Sequence, residues 1–217
     1  MDFAAARHMM VENQIRTNGV HATLVAKAIS TTPREVFLAK AMRGFAYVDE
    51  DLPIGGGRFM IEPLVLARLL QAADVKASDV VLTIGDASGW GAAVLSRLAS
   101  TVVALEQDGE FIARAAAALS ELGVDNVALV QGDLTEGYPA QAPYDVIVFA
   151  GAVADIPQGI ARQLADGGRL VAVVNEGAGM GKGGLTARVG DSFGRRVMFD
   201  AGTAYLPGFK PAPGFVF

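Results

Sequence analysis

The stretch that decides the fold is VLTIGDASGWGAAVL, residues 81–95. A short, largely β-branched run is followed by a turn with three glycines, and then by apolar residues at helical spacing. This order is typical of the first strand, turn and helix of a parallel sheet, whose ligands bind beyond the carboxyl ends of the strands. We therefore expect a ligand site at the glycine turn, defined here as residues 85–91.

The alternation of apolar runs and helical segments continues after this stretch. Helices are expected after most of the runs VVLTI (80–84), TVVALE (101–106), NVALVQ (126–131), YDVIVFA (144–150) and GGRLVAVV (167–174). No helix separates LTARVG (185–190) from RRVMFDAGTAYL (195–206), which predicts an antiparallel hairpin. The pattern indicates an α/β fold with a Rossmann-like, doubly wound and mostly parallel sheet that ends in this hairpin.

The N-terminal part has a different character. Residues 2–29 predict two helices joined by a turn at residues 17–19, and the stretch from 49 to 63 contains two prolines and three consecutive glycines that favour a loop. We therefore expect an N-terminal helical cap with a substrate loop over residues 1–75, and a cofactor-binding core over residues 76–217.

Composition excludes several classes of function. The chain has 217 residues, a net charge of −5 and no cysteine, and its only histidines are His8 and His21. Thiolate chemistry is excluded, and we expect no metal site, no nucleic-acid partner, no membrane span and a cytoplasmic location. The run from Gly177 to Gly184 lacks the Ser or Thr that a phosphate loop needs after Lys182, and is expected to be a flexible connection.

The polar residues at the strand ends suit a nucleoside that has no phosphate. The dinucleotide pattern of three glycines fails, because Ala87 and Trp90 stand at two of its positions. Glu106 ends the second strand, where a carboxylate accepts hydrogen bonds from both ribose hydroxyls, and Asp133 follows the third strand. Asp133 is a candidate partner for an adenine amino group or a simple turn cap.

Several motifs together resemble one family. MVENQIR (10–16), LPIG (52–55), VLTIGDASGWGAAVL (81–95), VQGD (130–133) and APYDVIVFAGA (142–152) are similar to segments of the protein-L-isoaspartate O-methyltransferases. The resemblance implies a class I fold and S-adenosyl-L-methionine as cofactor. The cofactor-binding residues it implies are Gly85, Asp86, Ala87, Ser88, Gly89, Glu106, Gln107, Asp133 and Leu134.

The resemblance also implies the acceptor, which is the carboxylate of an L-isoaspartyl residue in a damaged protein or peptide. An ionised carboxylate and a sulfonium need alignment and exclusion of water more than an acid or a base, so no catalytic residue is assigned. The acceptor is expected over the substrate loop, defined here as residues 53–63. Its candidate residues are Ile54, Gly55, Phe59, Ile61 and Pro63. The oligomeric state stays open.

Three residues depart from the family's pattern. Where the family has Thr-Ile-Ser-x-Pro, this chain has Phe59-Met60-Ile61-Glu62-Pro63, so Ile61 replaces the serine beside the acceptor. Thr83 replaces an acid two residues before the first motif glycine, and Ala87 replaces the middle glycine. A family member without activity that serves as a binding module, or a methyltransferase with another acceptor, therefore remains an alternative. A nucleic-acid methyltransferase is disfavoured because the fourth strand ends in Phe149-Ala150-Gly151-Ala152 instead of an Asn/Asp-Pro-Pro-aromatic segment.

Overall fold

The computed structural model describes residues 1–177 and 179–211. Within these residues, two short strands, β1 and β2, form a separate antiparallel pair, and seven strands form the main sheet. The strands are β1 (Leu52–Gly55), β2 (Arg58–Met60), β3 (Val80–Ile84), β4 (Thr101–Glu106), β5 (Val127–Gln131), β6 (Tyr144–Val153), β7 (Leu164–Val174), β8 (Gly181–Val189) and β9 (Ser192–Ala201).

The main sheet has the spatial order β5-β4-β3-β6-β7-β8-β9. Strands β3 to β7 pair in parallel, whereas β8 is antiparallel to both β7 and β9. This confirms the predicted doubly wound sheet with a C-terminal hairpin. The strand order reverses between β3 and β6, so a crevice opens beyond the carboxyl ends of these strands.

Helices cover both faces of the sheet. They are α1 (Phe3–Met10), α2 (Thr23–Thr31), α3 (Pro63–Ala73), α4 (Trp90–Leu95), α5 (Gly109–Glu121) and α6 (Gln158–Ala161). Buried apolar side chains form one cluster on each face of the sheet, because the apolar residues of a strand point alternately to either side. The larger cluster includes side chains of the N-terminal helices as well as those of β3, β4 and β7.

The N-terminal helices form as the sequence predicts. After α1 the chain continues through a π-helical turn (Val11–Ile15) and a 3-10 turn (Arg16–Asn18). Gly19 ends this unit with a φ of +83°, a conformation that glycine adopts without steric cost. No helix in residues 1–177 and 179–211 has both the length and the apolar character needed to cross a membrane.

Two segments are more regular than expected. The loop at residues 49–63 contains the β1–β2 hairpin, whose register shifts between Pro53 and Gly55. The prediction of a flexible connection from Gly177 to Gly184 is wrong for its second half, because Gly181 already begins β8 and Gly183 pairs with Val173. A Cβ atom on Gly181 would lie 2.8 Å from the carbonyl oxygen of Ala201, so here glycine permits close strand packing instead of flexibility.

The glycine turn also contains a glycine that packing requires. Gly89 has a φ of +81°, and a Cβ atom there would lie 2.7 Å from the Cβ atom of Ala115 on α5. Gly19 has nearly the same φ, but open space surrounds its Cβ position. The two positions therefore separate the backbone cost of a side chain from its packing cost.

We expect Gly89→Ala to lower the free energy of unfolding by about 3 kcal/mol or more, since it combines backbone strain with overpacking. Gly19→Ala, with backbone strain alone, should cost about 1 kcal/mol. Urea denaturation of both variants measures the difference, and equal losses would show that α5 yields to the added methyl group.

Candidate functional site

The glycine turn is held by its own side chains. Gly85 leaves β3 with a φ of +78°, and Leu206 contacts it so closely that an added Cβ atom would lie 2.6 Å from Leu206 Cδ2. The buried Asp86 carboxylate accepts hydrogen bonds from Ser88 Oγ at 2.8 Å and from the backbone N–H of Ala92 at 2.7 Å. Burial raises the pKa of Asp86 above its usual range, and these hydrogen bonds oppose the rise. Asp86 and Ser88 therefore cap α4 and shape the turn.

Glu106, at the end of β4, takes part in a buried ion pair. Arg58 Nη1 donates to Glu106 Oε1 at 2.7 Å, and Arg58 Nη2 donates to Oε2 at 2.8 Å, which is the bidentate geometry that a guanidinium makes with a carboxylate. Arg58 Nη2 also donates to the carbonyl oxygen of Gly85 at 2.9 Å. Glu106 is 3% exposed and Arg58 is 6% exposed, so the pair lies inside the protein.

The backbone completes the partners of Glu106. The N–H groups of Gln107 and Asp108 donate to Oε1 at 2.9 and 3.2 Å. Oε1 thus accepts three of these four hydrogen bonds, whereas Oε2 accepts the one from Arg58 Nη2. The described arrangement therefore does not fit a ribose bound at Glu106, because Arg58 fills the place of the two hydroxyls.

The third strand end is more open. Asp133 is exposed, and its Oδ1 accepts hydrogen bonds from the N–H and the hydroxyl of Thr135 at 2.8 and 2.7 Å. These bonds hold the pKa of Asp133 below its usual range. Leu134, the next residue, is fully buried in the core. Asp133 thus caps a turn and keeps its outer face exposed to solvent.

The substrate loop closes over the crevice. Its residue Ile61 is 3% exposed and Pro63 begins α3, whereas Phe59 is 39% exposed. A cavity of only about 10 Å³ remains where Arg58, Phe59 and Ile61 approach Ala150 and Leu206. This is the volume of about one water molecule, whereas a site for a small organic molecule usually has ~300 Å³ or more.

Asp51 joins the substrate loop to the C-terminal segment, defined here as residues 202–205. Its Oδ1 accepts a hydrogen bond from the N–H of Glu62 at 2.8 Å. Its Oδ2 accepts hydrogen bonds from Thr203 Oγ1 at 2.7 Å and from the N–H of Ala204 at 2.8 Å. One carboxylate therefore holds together the two segments that cover the crevice.

A wider groove lies on the other side of the turn. Its volume is about 450 Å³, and most of its lining is apolar. Ile54 and Gly55 of the substrate loop, Ala87 and Ser88 of the glycine turn, and Phe111 of α5 all contribute to it. The groove thus brings together four residues that the sequence assigned to the cofactor and acceptor sites, with Phe111 as an additional neighbour that was not predicted.

A buried arginine, Arg34, packs against Trp90 of the glycine turn. Arg34 is completely buried, and its guanidinium lies 4.3 Å from the ring centroid of Trp90. Within the described part of the chain, its nitrogens have no hydrogen-bond partner. Burial lowers the pKa of Arg34 to about 9, although Asp51 and Asp86 oppose this change.

Glu62 lies in the substrate loop. Burial, followed by the nearby carboxylates of Asp49 and Asp51, raises its pKa to about 7. No group of three or more metal-ligating side chains occurs in the part of the chain that the structure describes.

Sequence reasoning missed Arg58, Asp51 and Arg34. Arg58 follows three glycines in an apparent loop, and nothing local indicates a partner 48 residues away. The proline and glycine content of this segment identified it as a functional loop without showing which of its side chains turn inward.

A family model and curated relatives match this chain. The model of the protein-L-isoaspartate (D-aspartate) O-methyltransferases matches residues 5–187. A protein-L-isoaspartate O-methyltransferase 1 from Rhodopseudomonas palustris is 45% identical over 78% of this chain and 69% of its own length. A protein-L-isoaspartate O-methyltransferase from Koribacter versatilis is 40% identical over 78% of this chain and 76% of its own length.

Solved structures agree with this match. A structure titled protein-L-isoaspartate O-methyltransferase superimposes with a TM-score of 0.81 and 26% identity, over 96% of this chain and 66% of that chain. This chain therefore spans about two thirds of that structure's length. A Plasmodium falciparum structure, titled as a putative member in complex with S-adenosyl-L-homocysteine, gives a TM-score of 0.75 over 92% of this chain and 97% of that chain. At 16% identity, this second likeness shows the fold alone.

The raised pKa of Glu62 makes stability depend on pH. The folded state holds the Glu62 proton up to a pH of about 7, whereas the ordinary value is 4.5, so unfolding releases a proton between these values. The free energy of unfolding therefore falls as the pH rises through this window. Because Glu62 is only partly buried, we expect a change of about 1 kcal/mol that Glu62→Gln abolishes.

Urea denaturation at pH values below and above this window measures the effect. Glu62→Gln should gain stability over the wild type mainly at the higher pH. Glu121→Gln, which removes an exposed carboxyl at the end of α5, is the control and should follow the wild type. A stability difference between Glu62→Gln and the wild type that is the same at both pH values would contradict the prediction.

Proposed function

Because the chain belongs to the protein-L-isoaspartate O-methyltransferase family, we propose that it methylates the free carboxylate of L-isoaspartyl residues in damaged proteins. The family uses S-adenosylmethionine as its methyl donor. The observation that carries the proposal is the extent of the match, which covers the helical cap, the substrate loop and most of the α/β core. A likeness limited to the core would support methyl transfer without any particular acceptor.

The proposed reaction depends mainly on how the acceptor carboxylate and the methyl donor are positioned. An acceptor carboxylate is ionised at neutral pH, and a sulfonium-bound methyl group is already activated, so alignment and exclusion of water supply most of the rate. Ile61 and Phe59 give the substrate loop an apolar surface that excludes water. Neither side chain can donate a hydrogen bond to the acceptor, unlike a serine or a threonine.

The proposal assigns its sites residue by residue. The cofactor would contact Gly85, Asp86, Ala87, Ser88, Gly89, Glu106, Gln107, Asp133 and Leu134. The acceptor would lie over the substrate loop, beside Ile54, Gly55, Phe59, Ile61 and Pro63, with the 450 Å³ groove next to it. Residues 1–75 would serve as the cap and residues 76–217 as the core that binds the cofactor.

The proposal also covers the binding partners and the cellular location of the protein. The acidic balance, with a net charge of −5, disfavours a nucleic-acid partner and leaves proteins and peptides as partners. We also propose that the reaction takes place in the cytoplasm.

The ion pair at Glu106 favours a second candidate function. A family member whose ribose carboxylate is permanently paired with Arg58 would keep the fold and bind a protein partner without methylating it. The replacement of the expected serine by Ile61 favours the same candidate. The two functions differ in whether a methyl group reaches an isoaspartyl peptide.

The first experiment measures methyl transfer from radiolabelled S-adenosylmethionine to an isoaspartyl peptide and to its aspartyl counterpart. We expect base-labile methyl ester on the isoaspartyl peptide only, because alkali cleaves a methyl ester. Absence of label on the isoaspartyl peptide, at enzyme concentrations equal to those of the peptide, would favour the binding module.

A matched pair of variants tests the place of Ile61. Ile61→Thr and Ile61→Val have nearly the same shape, but only threonine carries a hydroxyl that can donate to the acceptor. A hydrogen bond to a charged group contributes ~1.5 kcal/mol or more, so Ile61→Thr should methylate the isoaspartyl peptide about tenfold faster than Ile61→Val. Equal kcat/KM values for the two would show that residue 61 does not face the acceptor carboxylate.

A further inference from the structure

The ribose position at Glu106 is filled by a side chain of the substrate loop. Arg58 makes three hydrogen bonds there, two to Glu106 and one to the carbonyl oxygen of Gly85. The guanidinium therefore bridges the carboxyl ends of β4 and β3, in the crevice where ligands of such sheets bind. Its near-complete burial distinguishes this pair from a solvated ion pair on the surface.

The donors of Arg58 resemble those of the group it replaces. A ribose offers two neighbouring hydroxyls to a carboxylate, and a guanidinium offers two parallel N–H groups. Because Arg58 Nη1 and Nη2 each donate to one oxygen of Glu106, a ribose cannot place its two hydroxyls on the same two oxygens while the ion pair persists. Binding of the cofactor therefore requires that Arg58 leave Glu106.

The local backbone allows such a departure. Arg58 begins β2, which forms a two-stranded sheet with β1, separate from the main sheet. It directly follows Gly55, Gly56 and Gly57, which all have positive φ values. Open space surrounds the Cβ positions of Gly55 and Gly57, so no packing at these two residues holds the tip of the hairpin in place.

We propose that Arg58 competes with the cofactor's ribose for Glu106, and that the cofactor binds only to the form in which the β1–β2 hairpin carries Arg58 out of the crevice. This inference rests on the proposed function, since the ligand in question is the cofactor of that function. The apparent affinity for the cofactor is then the intrinsic affinity reduced by the fraction of molecules in the open form. Arg58 thereby sets the cofactor concentration at which the protein works.

The test is calorimetric titration of the full chain with S-adenosylhomocysteine. Arg58→Gln removes the guanidinium, and it should bind this ligand at least roughly tenfold more tightly than the wild type. Arg169→Gln is the matched control, because Arg169 also donates to a carboxylate, that of Asp79, and to a backbone carbonyl, that of Asp74. This second ion pair lies at the amino end of β3, at the opposite end of the parallel strands from Glu106 and the crevice. The affinity of Arg169→Gln should stay within about twofold of that of the wild type.

A second variant protects the test against loss of folding. If Arg58→Gln does not fold with Glu106 unpaired, Arg58→Lys keeps the positive charge but cannot form the bidentate pair. It should bind S-adenosylhomocysteine more tightly than the wild type, by a smaller factor than Arg58→Gln. Circular dichroism of each variant establishes that it is folded before titration.

The outcomes separate this inference from the proposed function. If the wild type binds at micromolar concentration and neither Arg58 variant binds more tightly, the competition is wrong and the proposed function stands. If only the Arg58 variants bind, the competition is correct, and the wild-type protein does not use this cofactor. If no variant binds at millimolar concentration, both proposals are wrong.

Discussion

The buried ion pair between Arg58 and Glu106 connects the β1–β2 hairpin to the carboxyl end of strand β4. Arg58 belongs to the hairpin of the substrate loop, and Glu106 ends a central strand of the sheet. Removal of both charges from water is costly. The pair is tolerable because its bidentate geometry and the added bonds to Gly85, Gln107 and Asp108 give both Nη atoms and both carboxylate oxygens a hydrogen-bond partner. Loss of Glu106 alone would leave a buried guanidinium without a counter-charge, at a cost of about 3–5 kcal/mol. Substitutions of Glu106 consequently change stability together with any affinity for a ligand.

A second carboxylate reinforces the closed arrangement. One oxygen of Asp51 binds Glu62, and the other binds Thr203 and Ala204. These hydrogen bonds hold the substrate loop to the C-terminal segment. Leu206 follows this segment and packs against Gly85. The crevice is thus covered by one continuous layer, and the layer is fastened at Asp51 and at the ion pair of Arg58.

The fold was predictable because its determinants are local. Near-continuous apolar runs such as those of β3 and β6 identify buried parallel strands, and the absence of a helix between β8 and β9 identifies the hairpin. Glu106 was placed correctly at a strand end for the same reason. Its partner was not predictable, because the pairing of Arg58 with Glu106 depends on how a glycine-rich hairpin folds over the sheet, and no periodic pattern records that. The burial of Arg34 was not predictable either, because an arginine is ordinarily expected at the surface.

The residues that differ from the family's pattern are concentrated at the crevice. Ile61 lies in the cover, while Thr83 and Ala87 lie in the strand and the turn beneath it. All three are buried, so each change also alters packing, and their apolar or small side chains suit a cover that closes tightly against the sheet. The scaffold around them keeps the strand order and the glycines that the family fold needs. In the proposed competition, the closed cover held by Arg58 exchanges with an open crevice in which Glu106 accepts a ribose. The guanidinium of Arg58 and the hydroxyls of the ribose are alternative hydrogen-bond donors to one carboxylate. For this reason a single side chain, that of Arg58, is able to control the affinity for the cofactor.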